Sequence, residues 1–186
     1  MPEEKKNSQS VWELLRFAII ALILVIPVRL FIIQPFIVSG SSMFPTFENG
    51  SYLIIDELSY KLGNPKRDDV AIFKYPNDQT KFFIKRVIGL PNETVDIKGN
   101  EVTITNSEHK NGFKLDQPFV KNISLDNMHF ELKGDEYFVM GDNRSASSDS
   151  RYWGPVPRNL FIGKALLRLL PIKRLGINPG KYIQTE

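Results

Sequence analysis

Residues 94–105 read Thr-Val-Asp-Ile-Lys-Gly-Asn-Glu-Val-Thr-Ile-Thr, and this stretch indicates which kind of fold the chain adopts. Apolar residues alternate with polar ones on both sides of Gly99-Asn100, a dipeptide that is typical of tight turns. A period of two places the apolar side chains on one face of an extended strand. The stretch therefore predicts a β-hairpin with one buried face.

Similar short runs, separated by turn residues, continue through most of the chain. Further strands are predicted at residues 52–55, 70–75, 82–88, 137–140 and 161–167. Beyond residue 33 no segment keeps a helical period, so we predict a mainly β fold, either an antiparallel β-sheet or a partly open barrel. Residues 101–133 are more polar, and we expect them to form a variable loop or hairpin excursion.

The N-terminal region has a different composition. Residues 14–33 are mostly apolar and carry charge only at Arg16 and Arg29. As a helix this segment would be about 30 Å long, which matches the hydrocarbon core of a bilayer. Its uncharged part, residues 17–28, is short enough that length alone also allows a buried helix or the apolar region of a signal peptide.

Flanking residues favour a retained membrane anchor over residues 11–33. Trp12 stands where an interfacial aromatic residue is expected, and no small-residue cleavage site follows the apolar run. Positive charges before the span favour a cytoplasmic N-terminus. We therefore predict a single-pass cell-membrane protein, with residues 1–10 as a cytoplasmic tail and residues 34–186 as an extracytoplasmic β domain.

Composition narrows the possible chemistry of this 186-residue chain. It has no cysteine, which excludes disulfides, thiolate nucleophiles and cysteine-based zinc sites. The two histidines, His109 and His129, are isolated, so no metal site is expected. Net charge is only +3 and the basic residues are scattered, which argues against nucleic acid as a partner. A serine nucleophile in this chain would need a base other than histidine.

Residues 39–46, Ser-Gly-Ser-Ser-Met-Phe-Pro-Thr, follow the predicted anchor closely. Gly40 permits a close backbone approach, and Pro45 stiffens the end of the segment. A serine on a rigid turn with backbone N–H groups beside it suits acyl transfer, because that reaction needs a nucleophile and an oxyanion hole. An ordinary surface turn has the same composition, so the cluster alone leaves both interpretations open.

Lys85 interrupts the apolar strand Phe82-Phe-Ile-Lys-Arg-Val-Ile88. Alternation along the strand puts Lys85 on the same face as Phe83 and Val87. Burial among such neighbours would lower the pKa of its ammonium group, and a neutral amine could then serve as a general base. Arg86 could not do so, because a guanidinium group does not lose its proton. The alternative is an edge-strand lysine that only aids solubility.

Residues 141–154 form a third polar cluster, Gly-Asp-Asn-Arg-Ser-Ala-Ser-Ser-Asp-Ser-Arg-Tyr-Trp-Gly. Acids and arginines alternate along it, which favours a rigid loop held by salt bridges. Its serine hydroxyls are groups that could orient a neutral lysine.

The segments 42–46, 69–76, 85–91 and 141–154, in this order behind an N-terminal anchor, resemble the sequence boxes of type I signal peptidases. The likeness extends over about residues 11–170. It implies a membrane-bound serine endopeptidase, with a signal-peptidase-like β domain, that removes signal peptides from exported preproteins. The implied partners are the signal peptides and the lipid bilayer. No cofactor, metal or nucleic acid is implied, and the enzyme is expected to act as a monomer.

The resemblance also implies a role for individual residues. Ser42 matches the nucleophile and Lys85 the general base, while Ser147 matches the hydroxyl that orients the lysine. The Ser42 N–H and Gly40 occupy the positions of the oxyanion hole. Matches to the salt-bridged support under the site are Asp142, Arg144, Asp149 and Arg151. Residues expected to line the substrate pockets are Phe36, Val38, Met43, Phe47, Phe83 and Ile84.

Two departures and two alternatives accompany the resemblance. Gly40 stands where some members of the family have a serine side chain, so this half of the oxyanion hole rests on main-chain geometry or on Ser41. Ser145-Ala146 stand where an Asp-Asn pair is usual. A self-cleaving Ser–Lys repressor would use the same chemistry, but the sequence shows no DNA-binding domain in place of the anchor. In a membrane-anchored β-rich binding protein, Ser42 and Lys85 would be incidental.

Overall fold

The computed structural model of the protein describes residues 11–23, 33–122 and 125–182. Antiparallel strands dominate it, which confirms the predicted mainly β class. The elements are α1 (11–23), β1 (Ile33–Ile37), β2 (Tyr52–Asp56), α2 (Leu58–Leu62), β3 (Val70–Tyr75), β4 (Asp78–Gly89), β5 (Thr94–Lys98), β6 (Glu101–Thr105), β7 (Phe113–Lys114), β8 (Asn127–Glu131), β9 (Glu136–Met140), α3 (Ser150–Trp153), β10 (Val156–Pro157), β11 (Phe161–Leu170) and β12 (Gly176–Ile177).

The main sheet has the strand order β1-β2-β11-β3-β4-β9-β10, and β12 pairs with β11. It is open, because β1 and β10 stand at the two ends of this order. Strand β3 lies near the middle and is buried on both faces. Ala71 and Phe73 belong to one apolar cluster, whereas Val70 and Ile72 belong to another. Burial on both faces explains why β3 is a continuous apolar run rather than an alternating one.

The second sheet has the order β7-β6-β5-β8. Strands β5 and β6 pair around Gly99-Asn100, with Ile97 opposite Val102, so the predicted hairpin is confirmed. Apolar side chains from this sheet form a core with residues of the main sheet, whose members include Ile88, Val95, Ile97, Val102, Ile104, Phe138 and Met140.

Residues 101–133, predicted as a loop or hairpin excursion, contain more regular strand structure than their polar composition indicates. Strands β6, β7 and β8 fall within this range and belong to the second sheet. The segment looked loop-like because its strands are short and keep one face exposed. In β8, for example, Met128 and Phe130 are half-buried between exposed polar neighbours. Alternation of this kind leaves no continuous apolar run to recognise.

Helix α1 exposes almost all of its side chains, including Trp12. Across residues 11–23, 33–122 and 125–182, no helix combines the length and the apolar character that crossing a membrane requires. The predicted anchor at residues 11–33 runs through 24–32, and those residues lie outside the described part of the chain. The predicted tail at residues 1–10 lies outside it as well.

Strand β4 is the element that brings the candidate site together. It pairs with β3 on one side, where Lys85 lies opposite Ala71, and with β9 on the other, where Arg86 lies opposite Met140. Because Gly141 follows β9 directly, the loop that starts there lies beside Lys85 and Arg86. The turn that contains Ser42 joins β1 to β2 and reaches the same place.

Candidate active site

Ser42 and Lys85 are in direct contact. The Lys85 Nζ donates a hydrogen bond to Ser42 Oγ at 2.7 Å and another to the Ile84 carbonyl at 3.1 Å. Lys85 is only 4% exposed. Burial lowers its pKa to about 8, although the nearby carboxylates of Asp149 and Asp142 act in the opposite direction. A fraction of the amine is therefore neutral near pH 7 and can accept the proton of the serine hydroxyl.

The turn around Ser42 is held by its own backbone. The Phe44 N–H donates to the Ser41 carbonyl at 3.0 Å, and the Phe47 N–H donates to the Met43 carbonyl at 2.8 Å. In the part of the chain that the structure describes, the Ser42 N–H has no acceptor. This N–H is thus available to a substrate carbonyl.

Gly40 does not offer its N–H in the way the sequence predicts. Its backbone N donates to Asn49 Oδ1 at 2.8 Å, so the expected second donor of the oxyanion hole is already engaged. The reason lies in the chain path. The Gly50 N–H bonds the Val38 carbonyl, which brings Asn49 alongside Gly40. Ser41, the neighbouring residue, lines the cleft beside Ser42.

The loop after β9 packs tightly against this turn. The Asn143 N–H donates to the Ser42 carbonyl at 3.0 Å, and Asn143 Nδ2 donates to the Ser41 carbonyl at 3.1 Å. A Cβ at Gly141 would overlap the Ser42 carbonyl oxygen and the Ser147 side chain. Only glycine therefore allows the two segments to approach this closely.

Ser147 lies in the same loop, but it does not contact Lys85 in the predicted way. Its Oγ is buried and forms no hydrogen bond within the described residues. The hydroxyl lies against Gly141 instead, in the space that a Cβ at that position would occupy. The expected hydrogen bond from Ser147 to Lys85 is thus not formed in this structure, and the Ile84 carbonyl is the second acceptor for Lys85 Nζ.

Asp149 and Arg151, two of the four residues expected to support the site, form a buried ion pair. Arg151 Nε and Nη2 donate to the two Asp149 oxygens at 2.8 and 2.9 Å. Asp149 also accepts the Gly141 N–H at 3.0 Å, and Arg151 reaches the Arg144 carbonyl at 2.7 Å. A second carboxylate, that of Asp126, lies 2.6 Å from Arg151 Nη1. The pair therefore fixes both ends of the loop that touches Ser42.

Asp142 pairs with Arg86, a residue that the sequence did not identify as part of the site. Arg86 Nε and Nη2 donate to the two Asp142 oxygens at 2.8 and 2.6 Å, and both side chains are almost fully buried. Asp142 also accepts the Thr46 hydroxyl, so one carboxylate joins β4 to the turn of Ser42. The feature of the sequence that could have identified Arg86 is its position within the apolar strand 82–88.

Arg144, the remaining member of the predicted support, does not pair with a carboxylate among the described residues. Its Nε donates to the Gly141 carbonyl at 3.1 Å, and its Nη2 donates to the side chain of Gln117. Burial lowers its pKa to about 10. The residue braces the loop through neutral acceptors.

A cleft of about 600 Å³ contains Ser42 and Lys85. Residues 36–42 line one side, residues 81–85 line the other, and Ala146 and Ser148 lie in the lining as well. A larger cavity of about 1030 Å³ includes neither Ser42 nor Lys85. The smaller cleft is the relevant one because it is where the reactive groups meet.

Four of the six predicted substrate residues line this cleft, namely Phe36, Val38, Phe83 and Ile84. The other two do not. Met43 and Phe47 are 1% and 0% exposed and belong to the apolar core with Leu53 and Ile55. The turn after Ser42 directs these two side chains into the core, whereas Phe44 between them is exposed.

Neither histidine lines the cleft. His129 is exposed on β8, where its Nδ1 lies 2.7 Å from Asp96 and this carboxylate raises its pKa. His109 packs against Phe113. Among residues 11–23, 33–122 and 125–182, no group of three or more histidines and carboxylates is arranged to hold a metal ion.

This chain is similar to known proteins. The family described as signal peptidase, peptidase S26, matches residues 11–170. A probable signal peptidase I-2 of Synechocystis sp. is 35% identical over 184 residues, which cover 94% of this chain and 81% of the relative. Signal peptidase I of Bacillus caldolyticus is 32% identical over 187 residues, which cover 92% of this chain and 95% of the relative.

One solved structure is similar to part of this chain. The crystal structure of a signal peptidase I from Enterococcus faecalis V583 is 29% identical, with a TM-score of 0.45, and the match covers 54% of this chain and 95% of that one. The family match and the two relatives confirm the resemblance that the sequence boxes indicated. The chain therefore belongs to the signal peptidase family, peptidase S26, and is a serine peptidase.

Proposed function

We propose that this enzyme removes signal peptides from exported preproteins, with Ser42 as the nucleophile and Lys85 as the general base. The observation that carries the proposal is the 2.7 Å contact between Lys85 Nζ and Ser42 Oγ, made by a lysine that is 4% exposed. Relatives named signal peptidase I, which match nearly the whole chain, support the choice of substrate.

The reaction proceeds through an acyl-enzyme. The neutral amine of Lys85 takes the hydroxyl proton as Ser42 Oγ attacks the scissile carbonyl carbon. The Ser42 N–H stabilises the oxyanion that develops. The Lys85 ammonium then gives its proton to the leaving amine, and the C–N bond breaks. In the second half Lys85 takes a proton from a water molecule as its oxygen attacks the ester carbonyl carbon. The Lys85 ammonium then returns the proton to Ser42 Oγ as the C–O bond breaks, which releases the acid product.

The substrate binds as an extended strand in the cleft between residues 36–38 and 81–84. Both segments are extended, so their backbone groups can pair with a peptide that lies between them. Phe36, Val38 and Ile84 narrow the apolar part of the cleft. Such pockets suit small side chains, for example alanine at the first and third positions before the cut.

We also propose that residues 11–33 anchor the enzyme in the cell membrane, with residues 1–10 in the cytoplasm and residues 34–186 forming the catalytic domain on the other side. Support comes from α1, whose large apolar side chains are exposed around the helix. Trp12 is 69% exposed and Phe17 is 74% exposed. A lipid environment would cover this surface, and the enzyme is expected to act there as a monomer.

A preprotein cleavage assay with the full chain in detergent tests the dyad. We expect near-complete loss of cleavage for Ser42→Ala and for Lys85→Ala. Lys85→Arg should also be inactive, because arginine keeps the charge but does not release its proton. Lys74→Ala, at an exposed position on β3, is the matched control and should cleave like the parent. Full activity of either alanine variant of the dyad would contradict the mechanism.

A further inference from the structure

We infer that Asn143 is a positioning residue that aims the Ser42 N–H into the oxyanion hole, and that Asn122 holds the Asn143 side chain in the orientation this requires. The inference rests on the proposed role of Ser42 as the nucleophile. It adds two residues to the catalytic apparatus, one of them from the segment 115–122 that leads away from the second sheet.

The first step concerns one peptide group. The Ser41 carbonyl and the Ser42 N–H belong to the same planar unit and point in opposite directions. Asn143 Nδ2 donates to this carbonyl at 3.1 Å, and the Phe44 N–H donates to it at 3.0 Å, so two donors hold its orientation. The Ser42 N–H must then point away from Asn143. It has no acceptor among the described residues, and Ser42 lines the cleft.

The second step concerns the next peptide group. The Asn143 backbone N–H donates to the Ser42 carbonyl at 3.0 Å. One residue therefore holds the carbonyl on each side of the nucleophile. Rotation of either peptide would break a hydrogen bond whose donor, Asn143, is only 7% exposed. Such rigidity favours oxyanion stabilisation, because a donor fixed in advance needs no reorganisation during the reaction.

The third step is the orientation of the Asn143 amide. A carbonyl oxygen can only accept, so the group that faces the Ser41 carbonyl must be the NH2. The Asn143 Oδ1 then points to the opposite side, where Asn122 Nδ2 donates to it. The Ser145 hydroxyl lies 3.4 Å from the same oxygen. Asn122 thus favours the one amide orientation in which Asn143 can donate to Ser41.

Variants of these residues test the inference in the full-length enzyme. Asn143→Ala removes one of the two donors to the Ser41 carbonyl and leaves only the Phe44 N–H, so it should lower kcat by about 10- to 100-fold, a loss comparable to or smaller than that of an oxyanion donor itself. KM should change little. Asn122→Asp should lower kcat more than Asn122→Ala, because a carboxylate opposite Oδ1 would turn the Asn143 amide around. The matched control is Asn127→Asp, at an exposed position on β8.

Three further measurements separate positioning from a general loss of structure. The pH midpoint of kcat should stay that of the parent, because Lys85 is unchanged. Affinity for a product peptide should also be unchanged. Affinity for a substrate-like peptide aldehyde, whose adduct with Ser42 places an oxygen in the oxyanion hole, should fall in parallel with kcat. All rates are expressed per folded enzyme, measured by circular dichroism.

Two outcomes would overturn the inference. One is a parent-like kcat per folded enzyme in both Asn143→Ala and Asn122→Asp. The other is an equal loss of affinity for the aldehyde and for the product peptide. Should Asn143→Ala not fold, Asn122→Asp alone decides. Ser42→Ala separates failure of the positioning role from failure of the proposed function. If Ser42→Ala is inactive while Asn143→Ala is fully active, the dyad stands and only the positioning role is excluded.

Discussion

Burial of Lys85 determines both its reactivity and its energetic cost. Its pKa falls from 10.5 to about 8 because the ammonium group is removed from water. At about 1.4 kcal/mol per pKa unit, holding the charged form at neutral pH costs the folded state about 3 kcal/mol. The same desolvation makes the neutral amine accessible near physiological pH. Burial of Lys85 therefore lowers the stability of the folded protein and at the same time makes the neutral amine available as a base.

The first prediction is the pH dependence of cleavage. Lys85 must be neutral to act as a base, so kcat/KM should rise with pH and reach half of its maximum near pH 8, the pKa of the buried amine. Well below that value the rate should increase about tenfold per pH unit. Initial rates with a peptide substrate between pH 5.5 and 9.5 measure this profile. A rate that is flat over that range would exclude Lys85 as the titrating base.

The second prediction concerns stability. Lys85→Met should abolish cleavage and yet raise the free energy of unfolding by about 3 kcal/mol at pH 7, because it removes the buried charge. The gain has a defined pH dependence. Below pH 8 the lysine is charged in both the folded and unfolded states, so the gain is constant. Between pH 8 and 10.5 only the unfolded state binds the proton, so the parent becomes more stable and the gain disappears.

Urea unfolding at pH 7 and at pH 10 measures this difference. Lys74→Met is the control, because Lys74 is exposed on β3 and its substitution should change stability little at either pH. A Lys85→Met variant that is less stable than the parent at pH 7 would contradict the prediction.

At the scale of elements, three segments converge on Asp142 and Ser42. The Arg86–Asp142 pair attaches β4 to the loop after β9, and the Thr46 hydroxyl attaches the nucleophile turn to the same carboxylate. Asn143 adds two bonds from the loop to that turn. The site is therefore built on β4, and its rigidity depends on a close approach between two loops.

The third prediction tests this close approach. Gly141→Ala should lower kcat by about 100-fold, because the new methyl group overlaps the Ser42 carbonyl and forces the turn to move by a fraction of an ångström or more. Gly134→Ala is the matched control, since its nearest neighbour, Asn92 Oδ1, would lie 3.5 Å from the new Cβ. Cleavage rates of both variants measure the effect. A Gly141→Ala variant as active as the control would show that the approach is not required.

At the scale of the whole molecule, the two sheets share one core. Ile88 and Phe138 from the main sheet pack with Val102 and Ile104 from the second. Such shared packing is expected to make the sheets unfold together. The second sheet is thus part of the structural unit that carries the site, and its segment 115–122 also contacts that site through Asn122.

The fourth prediction follows from this shared core. Ile104→Ala should destabilise the protein by about 2–5 kcal/mol, because it leaves a cavity at a fully buried position. In a Trp12→Phe background the fluorescence of Trp153 reports on the main sheet, and circular dichroism reports on both. The two unfolding curves should shift together. Glu101→Ala, on the exposed face of β6, should change little. An unchanged Trp153 transition would show that the sheets unfold independently.

Sequence patterns located the continuously buried β3 and the alternating strands on either side of Gly99-Asn100, but they missed β8, whose alternating residues are only half-buried. Strand β3 was predicted with its observed bounds, and the β5–β6 hairpin with its turn. Strand β7 was missed because it has only two residues. Strand β1 was missed because Ile33–Ile37 continues the N-terminal apolar segment and contains Pro35. Short or proline-containing strands are stabilised by their partners, and local composition does not show this.

By itself, the sequence determined the mainly β class, the family, and the two residue types, serine and lysine, on which the proposed chemistry depends. These follow from local patterns: alternation along strands, a lysine among apolar neighbours, and ordered sequence boxes. Only the tertiary structure decided that Asp142 pairs with Arg86, that the Gly40 N–H bonds Asn49, and that residues 101–133 help to build a second sheet. Strand register and loop packing bring these partners together. Both depend on segments far apart in the chain, so the local sequence around either partner does not predict the contact.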